Sequence, residues 1–151
     1  MDYLTVTDSK EHTGETMTQD AAKPLILVID DDAIVRKITA WFLATLGYRA
    51  VLAENGLEGM VAARKHLPAL ILTDALMPRM DGREMCRLLK SDPVTAGIKI
   101  IITTGVYKKS RHCNEAQRDF QADGYLEKPF DIHRLKSTLD EQLAGVQTHV
   151  L

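Results

Sequence analysis

Apolar residues gather in five short runs along the chain, and most of these runs lead into a segment whose apolar positions recur at helical spacing. The runs Leu25-Ile26-Leu27-Val28-Ile29 and Leu70-Ile71-Leu72-Thr73 are continuous and rich in branched side chains, as in strands covered on both faces of a parallel sheet. Residues 49–53, 98–103 and 124–127 supply three further strands. After the first run, Ile34, Val35, Ile38, Trp41, Phe42 and Leu46 return at helical intervals, which predicts a helix with Trp41 and Phe42 packed into the core. Gly47 stands where a left-handed cap ends that helix. Asn55 caps a second helix, with Leu57, Met60 and Val61 inward, that ends near His66. Asp81-Gly82 opens a third, with Met85, Leu88 and Leu89 inward, stopped by Ser91-Asp92-Pro93. A fourth is expected over residues 111–120, and Asp131 caps a last one with Ile132, Leu135, Leu139 and Leu143 inward.

Alternating strands and helices imply right-handed crossovers and a parallel sheet with helices on both faces. The expected fold is α/β, a flavodoxin-like doubly wound (βα)5 unit with strand order 2-1-3-4-5, whose switch point lies between the first and third strands. Residues 24–144 are read as one domain, with residues 1–23 as a flexible N-terminal tail and residues 145–151 as a C-terminal tail.

Ligands of such sheets bind outside the carboxyl ends of the strands, and here those ends carry chemistry. The first strand ends in Asp30-Asp31-Asp32, the third in Asp74, the fourth in Thr104-Gly105 and the fifth in Glu127-Lys128-Pro129. Carboxylates crowded on one rim repel each other unless a cation neutralises them. Asp30, Asp31 and Asp74 therefore ask for a metal, and oxygen ligands suit Mg²⁺ or Mn²⁺. No His/Cys cluster invites zinc, and Asp32 reads as a helix cap. A carboxylate beside such an ion can attack a phosphoryl group, so Asp74 is the candidate nucleophile. Lys128 would pair with a phosphoryl oxygen, and the Thr104 hydroxyl would donate to one. Singly, these three read as a turn residue, a surface charge and a strand residue; their joint position at strand ends is what points to a site.

The stretches Leu27-Val28-Ile29-Asp30-Asp31-Asp32, Thr73-Asp74-Ala75-Leu76-Met77-Pro78-Arg79-Met80-Asp81-Gly82, Thr103-Thr104-Gly105 and Tyr125-Leu126-Glu127-Lys128-Pro129-Phe130 together resemble the receiver domain of bacterial two-component response regulators. The resemblance implies that Asp74 is the phosphoacceptor and that Asp30 and Asp31 are the acidic pair. Asp31 and Asp74 would bind Mg²⁺ directly, Asp30 through water, and Leu76 through its backbone carbonyl. Thr104 and Tyr125 match the switch pair, and Lys128-Pro129 matches the lysine and the peptide bond that the family holds cis. Three departures stand out: a longer interval between Thr104 and Lys128, Gly105 in place of a frequent alanine, and an apolar Leu76. Leu76 and Val106 would flank the water that hydrolyses the phosphorylated state, which implies slow self-dephosphorylation.

Composition narrows the surroundings. A net charge of -2 over 151 residues argues against direct nucleic-acid binding through a basic surface. Cys86 and Cys113 form neither a CxxC motif nor a disulfide framework, so both are read as free thiols in a reducing cytoplasm. His66, His112 and His133 share no ligand spacing and are read as solvent-facing. No apolar run is long enough to span a bilayer, and residues 1–23 lack the pattern of a secretory signal.

The resemblance implies a single-domain, chemotaxis-regulator-like receiver rather than an enzyme acting on a separate substrate. It would take a phosphoryl group from a histidine kinase or histidine phosphotransfer protein and act on an effector protein. Homodimers would form through the fourth helix, fifth strand and fifth helix. A phosphohydrolase of the haloacid dehalogenase type would need a second acid in Asp74-Ala75-Leu76, and a nucleotide binder would need a glycine-rich loop after the first strand. A degenerate receiver acting as an unphosphorylated docking module is the remaining alternative.

Overall fold

The computed structural model describes residues 23–75, 77, 80, 82–105 and 121–150, with side chains described as far as residue 144. Its strands are β1 (Leu25–Ile29), β2 (Arg49–Ala53), β3 (Leu70–Asp74), β4 (Lys99–Thr104) and β5 (Gly124–Glu127). The helices among the described residues are α1 (Ala33–Thr45), α2 (Gly56–His66), α3 (Gly82–Ser91) and α4 (Ile132–Val150). All pairings are parallel, as the alternation of patterns predicts, and the order is β2-β1-β3-β4-β5, the flavodoxin-like arrangement that a site at the first and third strands fits. The helix expected over residues 111–120 lies outside the described residues.

The continuous apolar strands are explained by two cores, one on each face of the sheet. Leu27, Ile29, Ile71, Ile100 and Ile102 pack with α2 and α3 residues such as Ala62, Ala63, Met85 and Leu89. Ile26, Val28, Leu70, Leu72 and Ile101 pack with Ala40 and Leu43 of α1 and with Leu135, Leu139 and Leu143 of α4. Neighbouring residues of one strand thus serve opposite cores, and each fully buried Leu or Ile contributes about 1.5–3 kcal/mol.

Two helices present a different face from the one their apolar spacing predicts. In α1 the buried residues are Thr39, Ala40 and Leu43, whereas Ile34, Ile38 and Trp41 are 68%, 48% and 64% exposed. The helix is apolar on two nearly opposite ridges, and periodicity alone does not say which one meets the sheet. In α2 the inner face is Gly56, Gly59, Ala62 and Ala63, with Leu57 and Val61 outside. A Cβ on Gly59 would run into the Ile29 side chain, so this helix lies too close to the sheet for larger residues.

Caps set the helix starts. Asp32 accepts from the N–H groups of Ile34 and Val35, Asn55 from Glu58 and Asp131 from Arg134. Gly47 adopts φ 95° after α1, a conformation open to glycine at little cost. The last helix continues to Val150, past the point at Gly145 where the sequence pattern ends it. An isolated glycine costs a helix only about 1 kcal/mol, and no proline follows to stop it.

Candidate functional site

Strand register brings the predicted residues to one rim. Ile29 pairs with Thr73, Asp74 with Thr103 and Thr104 with Glu127, so Asp30, Asp74, Thr104 and Lys128 emerge side by side. The Lys128 N–H donates to the Thr104 carbonyl at 2.6 Å, which ties the segment after β5 to the end of β4. The Lys128-Pro129 bond is cis, as the family resemblance implies.

Asp30 is 3% exposed, and its polar atoms are engaged on every side. Its N–H donates to the Ala53 carbonyl at 3.2 Å. Its Oδ1 accepts from the Asp32 N–H at 2.9 Å, and its Oδ2 lies 3.0 Å from Lys128 Nζ. Lys128 also reaches Asp74 Oδ2 at 3.5 Å. The carboxylate oxygens of Asp30, Asp31 and Asp74 lie within 4.8 Å of one another. Asp31 is exposed, Asp74 half-buried and Thr104 buried.

Burial pushes the Asp74 carboxyl above its ordinary pKa; the Lys128 ammonium opposes this shift and the Asp30 charge adds to it. Burial works against the Lys128 ammonium, but its hydrogen bond to Asp30 and the charges of Asp74 and Asp30 outweigh that and hold its pKa above the usual value. A half-buried acid whose ionisation is opposed by its surroundings, facing a cation, is the electrostatic mark of a reactive site. The donor set is three carboxylates with no sulfur or imidazole among the described residues. Hard oxygen ligands of this kind fit Mg²⁺.

Tyr125 stands 39% exposed on β5. Leu76, Val106, His112 and Cys113 lie outside the described residues. Cys86 is fully buried, and burial pushes its thiol up to about 12, so it is an inert core residue. His133 is exposed, but His66 is half-buried rather than solvent-facing; burial lowers its pKa, helped by Lys65 and Arg49.

Two features escape the sequence pattern. One is the exposed ridge of Ile34, Ile38 and Trp41. It borders a groove of about 480 Å³ lined by Val35, Ile38, Phe42, Lys128, Pro129 and Phe130 among others. The other is Arg36, whose Nη1 donates to the Asp30 carbonyl at 2.7 Å. Its only signal in the sequence is a cation one helical turn beyond an acidic run.

Residues 26–140 match the family model described as "Response regulator receiver domain". The chain belongs to the response regulator receiver domain family. It is 33% identical over 112 residues to the DNA-binding dual master transcriptional regulator RpaA of Synechocystis, covering 74% of this chain and 46% of that protein. It is 36% identical over 119 residues to the phosphate regulon transcriptional regulatory protein PhoB of Pseudomonas aeruginosa, covering 76% and 51%. The receiver thus spans about half the length of these curated relatives. Among solved structures it is similar to the chemotaxis protein CheY4 of Vibrio cholerae, with TM-score 0.75 and 26% identity, covering 81% of this chain and 100% of that one. This receiver is homologous to phosphorylatable response regulators, and the reading as a degenerate docking module is not favoured.

Proposed function

We propose that this receiver accepts a phosphoryl group on Asp74 from a histidine kinase or histidine phosphotransfer protein. The observation that carries the reading is the convergence of Asp74, Asp30, Asp31 and Lys128 on one rim, with their carboxylate oxygens within 4.8 Å. An Asp74 carboxylate oxygen attacks phosphorus; the new P–O bond forms as the P–N bond to the donor imidazole breaks, and its electron pair leaves on that nitrogen. Lys128, already oriented by Asp30 and Asp74, pairs with a phosphoryl oxygen, and Thr104 donates its hydroxyl to another.

Asp31 and Asp74 would hold Mg²⁺ directly, with Asp30 through water and the Leu76 carbonyl completing the protein ligands; Mn²⁺ suits the same oxygens. Bound there, the ion neutralises charge on the phosphoryl oxygens. The protein would catalyse only its own phosphorylation and dephosphorylation, and would not act as an enzyme on a separate substrate.

Phosphorylation would draw Thr104 towards the new group and let Tyr125 turn inward, changing the surface of β5 and α4. Effector docking or homodimerisation on that face, in the chemotaxis-regulator manner, is the output this reading expects. The apolar ridge of α1 beside Lys128 offers the phosphodonor protein a surface. Neither nucleic acid nor membrane is a direct partner in this reading; a net charge of -2 supports the first point, and no described helix is long and apolar enough to cross a membrane. The kinase and its receiver would meet in the cytoplasm.

The test is incubation with acetyl phosphate and Mg²⁺ followed by intact mass. One added phosphoryl group is expected, lost in Asp74→Asn and abolished by a metal chelator. Persistence of the mass shift in Asp74→Asn would overturn the assignment.

A further inference from the structure

Asp31 differs from its neighbours on the rim. Asp30 is held at all four of its polar atoms, and Asp74 is held by Lys128. Asp31 is exposed, and no hydrogen bond or ion pair fixes its carboxylate among the described residues. Yet its carboxylate lies within 4.8 Å of the other two, so its direction must come from the backbone on either side of it.

That backbone is anchored twice. On the far side, the Asp32 N–H is held by Asp30 Oδ1, and the Asp32 side chain caps α1. On the near side, the carbonyl of the Asp30–Asp31 peptide accepts from Arg36 Nη1 at 2.7 Å. Arg36 is itself fixed in the first turn of α1, where its N–H donates to the Asp32 carbonyl at 3.0 Å. A charged donor at that distance is among the stronger hydrogen bonds, and because the peptide is planar, turning its plane moves the oxygen and breaks that bond. Rotation of that plane would change ψ of Asp30 and φ of Asp31 together and swing the Asp31 side chain off the rim.

We propose that Arg36 is a positioning residue: its guanidinium pins the Asp30–Asp31 peptide and so aims the Asp31 carboxylate at the metal position. The inference rests on the Mg²⁺ reading above. Its sign separates it from a plain charge effect. Removing a nearby positive charge would by itself tighten cation binding, whereas loss of positioning weakens it.

The experiment is a calorimetric Mg²⁺ titration of the unaltered chain, Arg36→Met, Arg36→Lys and Lys37→Met. It is run where circular dichroism shows each one folded. Positioning predicts a Kd raised about 10-fold in Arg36→Met, the size seen when partners of metal ligands are removed. Arg36→Lys keeps a charged donor and recovers part of the affinity. Lys37→Met loses the same charge from an exposed neighbour and binds no more weakly than the unaltered chain. A merely structural Arg36 would lower the melting temperature and leave Kd unchanged, and Kd unchanged or lowered in Arg36→Met overturns the inference. Should that variant not fold, Arg36→Lys decides: affinity equal to or above that of the unaltered chain overturns the inference, and a modest weakening supports it. No saturable Mg²⁺ binding to the unaltered chain would instead overturn the metal reading and the inference together.

Discussion

Lys128 Nζ lies 3.0 Å from Asp30 Oδ2, closer to this carboxylate than to Asp74 at 3.5 Å. The ammonium therefore neutralises the buried carboxylate first, and Asp30, with a side chain 4% exposed, depends on it. Removing one partner of a buried pair leaves an uncompensated charge, at a cost of about 3 kcal/mol. Lys128→Met is expected to unfold at lower urea in chelated buffer by about that amount. Mg²⁺ at a given concentration should then stabilise the variant more than the unaltered chain, since losing a nearby positive charge lowers the Kd of a cation and stabilisation grows with the ratio of concentration to Kd. Equal urea midpoints for the two proteins without Mg²⁺ would reject this dependence.

The two ridges of α1 predict opposite outcomes for two large apolar residues. Leu43 is fully buried and Trp41 is 64% exposed, although Trp41 carries the larger side chain. Leu43→Ala should cost about 2–5 kcal/mol, while Trp41→Ala should stay within about 0.5 kcal/mol of the unaltered chain. Chemical denaturation measures both, and a larger loss for Trp41→Ala would contradict the orientation of the helix.

These residues also mark where sequence reading ends. The strands were legible because parallel strands buried on both faces leave unbroken apolar runs, and the rim because those runs stop at Asp30, Asp74 and Thr104. The strand order left no mark in periodicity and followed only from fitting a site at the first and third strands to the flavodoxin-like arrangement. Caps were legible at Asp32, Asn55 and Asp131, where a local oxygen meets a local N–H. Helix faces were not. In α1 both ridges are apolar, and in α2 the inner face consists of Gly56, Gly59, Ala62 and Ala63, which a count of large apolar residues passes over. Arg36 left only the faint signal of a cation one turn beyond an acidic run, because its partner is a backbone carbonyl, which leaves no mark in side-chain pattern.

His66 gives the fold an acid-sensitive point. Its pKa is lowered by burial and by the charges of Lys65 and Arg49, so the unfolded chain binds a proton there more readily than the native one. Its neutral form supports folding fully above the unfolded pKa of about 6.5, and that support is lost as pH falls below this value towards the lowered native pKa. The melting temperature should therefore drop between pH 7 and pH 5.5, and by less in His66→Gln. An identical drop in both proteins would place the sensitivity elsewhere.

Gly82 joins fold and site at the start of α3. Its N–H donates to the Ala75 carbonyl at 2.9 Å, and a Cβ built on it would lie 2.8 Å from the Asp74 carbonyl oxygen and 3.2 Å from Ala75 Cα. Both obstacles are backbone, so neither can swing aside as the end of a side chain could. A methyl group there must push α3 outward or shift the Asp74–Ala75 peptide that carries the proposed phosphoacceptor. Overpacking of this kind costs about 1–3 kcal/mol, and misplacing a reacting group by about 1 Å can cost 100-fold in rate. Gly82→Ala should therefore unfold at lower urea and also phosphorylate more slowly with acetyl phosphate where it is still folded. Gly97→Ala is the control, because nothing lies within 4 Å of its Cβ and its φ is not positive. Matching stability and matching phosphorylation rates for the two alanine variants would show that the close approach of Gly82 to Asp74 is not what sets the position of this proposed phosphoacceptor.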